Sequence, residues 1–153
     1  MAIHFYYILG SNILKRNIVM AKIYFNTRDE LTAIDSEDIA VIQANGNYSK
    51  IVTIYRKEIM LTSGITKVEE VLKSANDARS RFVRIGRSLV VNHSYLQKID
   101  LIKQQMVLSC QGNEIKINVS KKTLKVYKDA IAKSIKIKNN ETDSFRNGGE
   151  SAL

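Results

Sequence analysis

The chain contains no proline and no tryptophan, and it has one cysteine and two histidines in 153 residues. Without proline, tight turns must be built from Gly, Asn and Asp. The lone thiol of Cys110 cannot form an internal disulfide or a cysteine-rich zinc site, which favours a reducing cytoplasm. His4 and His93 are too few for a histidine-based metal cluster. We therefore expect neither a metal nor another cofactor.

Long apolar segments and a secretory signal are also missing. No apolar run reaches the roughly 18 residues that suggest a membrane span, so no membrane partner is expected. The first nine residues, MAIHFYYIL, are mostly apolar, but Lys15 and Arg16 follow them, which is the wrong order for a secretory signal. Ordered patterns begin after Met20. Two interpretations of residues 1–21 stay open: an N-terminal extension, even a mis-called start, or a short extra strand covering the sheet.

The signatures of common enzymes do not occur. The sequence has no Gly-rich phosphate loop, no paired carboxylates at a strand end and no Cys/His ligand cluster. We therefore expect a protein that is not an enzyme.

Positive charge is abundant and unevenly distributed. The net charge is +9 and the sequence pI is about 9.7, as expected of a polyanion binder. Residues 79–125 carry ten bases and two acids, a net charge of +8, whereas residues 28–38 carry one base and five acids, a net charge of −4. This asymmetry predicts a charge dipole whose acidic end faces away from the polyanion.

Apolar periodicity predicts a mainly β domain. Alternating and compact apolar runs indicate strands at residues 23–25, 39–44, 48–55, 58–62 and 82–91, and a hairpin at 106–120. Asn45-Gly46-Asn47 marks a turn because Asn and Gly tolerate positive φ.

Two helices are expected beside these strands. Apolar spacing predicts the first from residue 65 to about 76, with Thr66 and Glu69 spaced as a capping box and Ser63 as a rival N-cap. Ser120 can cap the second helix, whose apolar stripe is Leu124, Tyr127, Ile131 and Ile135. Residues 136–153, with few apolar residues and two adjacent glycines, are expected to form a disordered tail.

The segment RFVRIGRSLVVN, residues 81–92, places Arg81, Arg84 and Arg87 inside an apolar strand pattern. Arginines at this density must reach a surface or an anionic partner. Gly86 lies where a strand can bulge and redirect side chains. A strand end that presents guanidinium groups is suited to reading phosphate and guanine.

Four stretches occur in a specific order between about residues 22 and 133: IAVIQANGNYSKIVT, ITKVEEVL, FVRIGRSLVVN followed by LQKID, and INVSKKTLKVYKDAI. In this order they resemble the LytTR-type DNA-binding domain of bacterial transcription regulators. The family pattern combines a Gly-Asn-Tyr turn, an F-x-R-x-H-R-S strand ending in Val-Asn, and a V-S-R-x-x-L helix start. Together these motifs are specific, whereas any one of them alone is weak.

The resemblance implies packed antiparallel sheets with one or two short helices, here over residues 22–135, whose loops enter successive major grooves. It further implies a cytoplasmic regulator of transcription that binds double-stranded DNA at repeated promoter sites, with a homodimer on DNA left open. By position, the contacting groups lie in the segment from Asn47 through Tyr48 and Ser49 to Lys50, at Arg87 and at Lys121. We add Arg84 and Lys122 as their neighbours.

Two departures from the family pattern bear on DNA binding. Gly86 stands where the family usually has His, which removes a polar group from the DNA face. Lys121 stands where Arg is usual, which keeps the charge but loses bidentate guanine recognition. The residues before Lys22 are too few for the receiver domain that commonly precedes this module, so a stand-alone domain is expected.

Each candidate also has a structural interpretation. Arg87 could pair with an acid on the sheet surface, and Arg84 could brace its strand instead of reaching a phosphate. The segment from Asn47 to Lys50 could simply form a hairpin turn. Lys121 and Lys122 oppose the helix dipole, which favours a shared anion such as phosphate at that helix start.

Two other functions stay open. One is a LytTR-like interaction module that modulates another regulator and binds little DNA itself, which Gly86 and Lys121 would permit. The other is an RNA-binding β domain, which exposed aromatic residues on a sheet would support. Most tyrosines, however, fit core positions in the predicted pattern.

Overall fold

The structure is a computed structural model that describes residues 8–9, 12–13, 22–75 and 81–147. These residues fall into two compact units. The first comprises Met1–Leu96 and Leu108–Ile115, and the second comprises Gln97–Val107 and Lys116–Leu153. Each unit is described by itself below.

Two small antiparallel sheets come first along the chain. Strands β1 (Ile8–Leu9) and β2 (Asn12–Ile13) pair with each other, as do β3 (Lys22–Asn26) and β4 (Leu31–Asp35). The apolar pattern of the sequence predicted β3 but not β4, because the acids around β4 leave no clear alternation of apolar and polar residues there. Tyr24 and Leu31 are exposed on this hairpin.

A five-stranded antiparallel sheet forms the centre of the first unit, in the order β7-β6-β5-β9-β8. Its strands are β5 (Ile39–Asn45), β6 (Tyr48–Thr53), β7 (Glu58–Leu61), β8 (Phe82–Ile85) and β9 (Leu89–Asn92). The predicted strands at 39–44, 48–55 and 58–62 are confirmed. The single strand predicted at 82–91 is wrong, since β8 and β9 form a hairpin.

Helix α1 (Ile65–Ser74) follows β7 and packs into the core of the first unit. Its buried residues Ile65, Val68 and Leu72 recur at helical spacing, as predicted. The predicted capping box is wrong: the N-cap is Gly64, and no side chain caps the helix. The Glu69 side chain instead forms ion pairs with Lys73 and Arg84.

One core cluster joins α1, the β3–β4 hairpin and one face of the central sheet. Its members are all apolar and buried: Ile23, Phe25, Ile34, Ile39, Ile42, Ile51, Leu61, Ile65, Val68, Leu72 and Val90. The opposite face of β5 is covered too, since Ala40 lines a small cavity with Tyr95, Leu108 and Cys110. Strand β5 is therefore buried on both faces, which fixes its register.

Three further strands form a sheet in the order β10-β11-β12: β10 (Leu96–Asp100), β11 (Gln105–Cys110) and β12 (Asn113–Asn118). The last two are the predicted hairpin. Gly112 at its turn has a φ of 79°, a value that only glycine adopts freely. The pattern did not predict β10.

Helix α2 (Lys121–Asn147) closes the described part of the second unit. Of the predicted stripe, Leu124 and Tyr127 are buried and Ile131 is half-buried, whereas Ile135 is 53% exposed. Burial raises the pKa of Tyr127 to about 12. The helix does not end at residue 135, so the disordered tail predicted from 136 is wrong as far as Asn147. The segment contains no glycine or proline that would break a helix, and Gly148 and Gly149 come only after its end.

Strands therefore dominate the described residues, which form antiparallel sheets and two helices, and the predicted fold class is confirmed. Only the length of α2 departs from the expected short helices. Neither helix in the described ranges is both long enough and apolar enough to span a bilayer.

Candidate nucleic-acid interface

Three connections meet at one end of the central sheet, which we call the loop edge: residues 45–48, 62–64 and 86–88. The antiparallel register places them together, because Asn45 pairs with Tyr48, Ser49 with Leu61, and Ile85 with Leu89. Backbone contacts join them. The Ala44 N–H donates to the Ser88 carbonyl at 2.8 Å, and a Cβ on Gly64 would lie 4.0 Å from the Asn47 carbonyl oxygen.

Gly86 turns the arginine-rich segment into a hairpin. Its φ is 65°, in the left-handed region that costs a residue with a Cβ about 1 kcal/mol or more. The chain reverses over residues 86–88 and returns as β9. The redirection that the sequence predicts at Gly86 is therefore present, but it is a hairpin turn between two strands and not a bulge within one strand.

The three arginines of this segment have three different environments. Arg81 lies at the opposite end of the sheet, where its guanidinium is 3.7 Å from the Glu37 carboxylate. Arg84 is half-buried and bonded within the first unit. Arg87 lies at the loop edge, exposed, and its side chain has no hydrogen bond or ion pair with any described residue. Only Arg87 is thus free to meet an external partner.

Arg84 joins helix α1 to the hairpin. Its Nη1 is 2.7 Å from Glu69 Oε2, and its Nη2 donates to the Arg87 carbonyl at 2.5 Å. Lys73 approaches the same carboxylate at 3.0 Å. These two basic partners, with the Lys73 hydrogen bond the larger effect, lower the pKa of Glu69. The bracing role considered for Arg84 is the one its contacts fit.

The segment from Asn47 to Lys50 divides into exposed and internally bonded residues. Asn47 and Tyr48 are exposed in the turn, and their side chains have no partner among the described residues. Ser49 is fully buried, and its hydroxyl donates to the Ser63 carbonyl at 2.7 Å. Lys50 is paired with Glu58 at 3.0 Å. Asn47 and Tyr48 therefore join Arg87 as available groups at the loop edge.

Lys121 and Lys122 open α2 in the second unit, and both are exposed. The Ser120 hydroxyl accepts a long hydrogen bond from the Thr123 N–H at 3.4 Å, which agrees with the predicted cap. Neither lysine pairs with an acid among the described residues. Two ammonium groups at the positive end of the helix dipole make a favourable place for an anion.

Lys67 is a basic residue near the loop edge that the sequence analysis did not identify as a candidate. It is exposed on the first turn of α1, just after the loop-edge residues 62–64. The argument applied to Lys121 and Lys122, a base at a helix start, would have found it. Its neighbourhood differs, however, because Lys67 lines a groove that also contains Asp29 and Glu30.

The acids of residues 28–38 lie in two places within the first unit. Asp29 and Glu30 lie near Ser63, whereas Glu37 pairs with Arg81 at the far end of the sheet. Strand β4, which rises about 3.3 Å per residue, runs between these two groups of acids.

Tyrosines are more exposed than predicted. Among the described tyrosines, Tyr24, Tyr48 and Tyr55 are exposed, while Tyr127 is buried. The three exposed rings lie on different elements: β3, the loop edge and the connection after β6. They do not form the shared sheet platform on which RNA bases stack. Within the described residues no group of His, Cys, Asp or Glu could hold a metal ion.

Comparison with known proteins identifies the family of the chain. The model of the LytTr DNA-binding domain family matches residues 29–132. Among solved structures, a LytTr DNA-binding domain from Bacillus cereus is similar, with 15% sequence identity, coverage of 72% of this chain and 96% of that chain, and a TM-score of 0.49. No curated protein matches the chain in sequence. Since the family model spans most of the chain, this protein belongs to the LytTR family of DNA-binding domains.

Proposed function

We propose that this chain regulates transcription by binding specific sites in double-stranded DNA through its loop edge and the start of α2. The observation that carries the proposal is Arg87: of the three arginines in its segment, it alone is exposed and unpaired, and the paired strands β8 and β9 present it. A long basic side chain without an internal partner, on a rigid hairpin, is available to a nucleic acid.

Base discrimination would come from the loop edge. The Arg87 guanidinium can donate two parallel hydrogen bonds to guanine O6 and N7. The Asn47 amide, exposed in the adjoining turn, can both donate and accept, which suits adenine N6 and N7. Tyr48 offers an exposed ring and a hydroxyl beside it.

Backbone binding would come from the second unit. Lys121 and Lys122, at the positive end of the helix dipole of α2, would form an anion site suited to phosphate. A phosphate contact sets the register and orientation of the protein on the duplex, but it carries no sequence information. The two sets of residues would thus divide specificity from affinity.

The first prediction tests duplex binding itself. If Z phosphates are neutralised, log K should fall against log salt concentration with a slope of about −0.9Z. The measurement is fluorescence anisotropy with a duplex selected from a random pool, over a series of salt concentrations, with a duplex RNA of the same sequence as control. Affinity that hardly changes with salt, or equal affinity for the RNA, would defeat the proposal.

A second candidate is an interaction module that modulates another regulator. It is favoured by Tyr24 and Leu31, which are 49% and 64% exposed on the β3–β4 hairpin, and by Gly86, which leaves the loop edge without the histidine usual in the family. The Arg87→Ala variant separates the candidates, because loss of duplex binding in that variant is expected only if the loop edge reads DNA.

A further inference from the structure

We infer that Glu69 and Arg84 are positioning residues that fix the direction of Arg87 and thereby set base discrimination, an inference that rests on the proposed DNA-binding function. Neither residue needs to touch DNA for this. They form a chain of contacts from helix α1, through strand β8, to the backbone of Arg87.

The contacts converge on one carbonyl group. The two terminal nitrogens of Arg84 are used separately, Nη1 at 2.7 Å from Glu69 and Nη2 at 2.5 Å from the Arg87 carbonyl oxygen. A carbonyl held in this way restricts rotation of the peptide after Arg87. The restriction also limits where the Cα–Cβ bond of Arg87 can point, although its side chain is itself unpaired.

The anchor of this chain of contacts is rigid. Glu69 lies in α1 between the buried residues Val68 and Leu72. Because these neighbours are packed in the core, the helix backbone at Glu69 is fixed. The side chains of Glu69 and Arg84 are only 21% and 23% exposed. A half-buried pair is screened less by salt than an exposed pair, so it persists at the ionic strengths used for DNA binding.

The hairpin needs such a restraint. Gly86, directly before Arg87, has the broadest conformational freedom of any residue. One backbone hydrogen bond, from the Ala44 N–H to the Ser88 carbonyl at 2.8 Å, holds the other side of the turn. Arg84 supplies the second restraint. Arranging a binding group before the ligand arrives reduces the ordering cost of binding.

The plainer alternative is that the Glu69–Arg84 pair only braces α1 against β8. The two roles differ in how they combine with Arg87. A positioning pair acts through Arg87, so removing both the pair and Arg87 costs no more discrimination than removing Arg87 alone. A brace acts on the whole fold, so its loss adds to the loss of Arg87.

The test compares Glu69→Gln with Glu70→Gln in the full chain. Both changes remove one negative charge from α1, so their long-range effects on DNA affinity are matched, but Glu70 is exposed and has no bond to Arg84. The readout is the ratio of dissociation constants for a scrambled and a selected duplex. Amide hydrogen exchange at Ala44 reports on the turn without DNA.

We expect Glu69→Gln to lower the discrimination ratio by roughly tenfold, a part of what one bidentate arginine–guanine pair can provide, and to speed exchange at Ala44. Glu70→Gln should change neither quantity, and Glu69→Gln with Arg87→Ala should match Arg87→Ala alone. Arg84→Lys is the second variant. A single ammonium cannot hold both partners in the same geometry, so discrimination should fall although the charge is kept.

Equal ratios for Glu69→Gln, Arg84→Lys and Glu70→Gln would overturn the inference, and so would losses that add to that of Arg87→Ala. An unaltered protein that does not distinguish the selected from the scrambled duplex would instead defeat the proposed function. That result is visible before any variant is made, so the two failures are distinguishable.

Discussion

Three arginines spaced three residues apart have different environments because a hairpin, not a single strand, carries them. The reversal at residues 86–88 sends Arg87 to the loop edge, while Arg81 stays near Glu37 at the other end of β8. Spacing along the sequence cannot distinguish these outcomes, since it does not show where the strand reverses.

Truncation of Arg87 and of Lys122 should reduce DNA affinity in different ways. We expect Arg87→Ala to weaken binding to the selected duplex by about 1–3 kcal/mol more than to a scrambled duplex, because a guanine pair discriminates between bases. Lys122→Ala should weaken binding to both duplexes equally, because a phosphate contact is independent of sequence. Titrations of each variant on both duplexes measure this, with circular dichroism to confirm the fold.

Equal losses on both duplexes for Arg87→Ala would reduce that residue to an electrostatic role. Lys57→Ala is a suitable control, since Lys57 is exposed in the connection between β6 and β7, away from the loop edge. Lys57→Ala should change the affinity for the selected duplex and for the scrambled duplex only slightly.

Some side chains could be assigned from the sequence because their roles are local. Asn92 is one of them, because an Asn side chain at a strand end can bond to neighbouring backbone groups. It is fully buried, donates to the Ile39 carbonyl at 2.9 Å and accepts from the Ser94 N–H. Ser49 could not be assigned in this way. Its partner is the carbonyl of Ser63, fourteen residues away on another connection, and only the packed sheet brings the two together.

Among the elements, the contact between α1 and β8 contains a carboxyl group, that of Glu69, whose titration couples stability to pH. The pKa of Glu69 is lowered below its ordinary value of 4.5 by Lys73 and Arg84. A carboxylate with a lowered folded pKa stabilises the fold above its unfolded pKa, and this stabilisation is lost as the pH falls through the folded pKa.

We therefore expect Glu69→Gln to reduce the difference between the urea midpoints at pH 7 and pH 3. Glu70→Gln serves again as the matched control, because it removes a carboxylate from the same helix without breaking the contacts of Arg84. The measurement is urea denaturation at both pH values for the unaltered protein and the two variants. A pH dependence identical in all three proteins would contradict the assignment of the pKa shift to these contacts.

Elements with a buried, periodic apolar face were predictable, and those without one were not. The stripe of α1 and the hairpin ending in β12 were read correctly because burial imposes their periods. Strand β4 could not be predicted, since Ile34 is its only buried residue and acids flank the strand. In helix α2 beyond Ile135, residues 136–139 are exposed and give no apolar period, and only the lack of glycine and proline in the sequence favours a helix there.

For the whole molecule, family membership follows from the order of the motifs more than from any single site. The family model spans residues 29–132, and the chain keeps the family's Gly-Asn-Tyr turn and Val-Asn strand end while departing from the family pattern at Gly86 and Lys121. The fold could be predicted because it depends on the motifs that are kept. The target sequence could not, because it depends on the positions that differ.

The N-terminal segment should be dispensable for both folding and DNA binding. The core cluster of the first unit begins, among the described residues, at Ile23, and β1 pairs with β2. We expect deletion of residues 1–19 to leave the thermal midpoint and the duplex affinity nearly unchanged. Deletion of residues 1–27 is the control, because it also removes Ile23 and Phe25, which are 2% and 3% exposed. Burying such side chains contributes about 1.5–3 kcal/mol each, so that deletion should lower the midpoint strongly. A large fall for the shorter deletion would show instead that residues 1–19 belong to the fold.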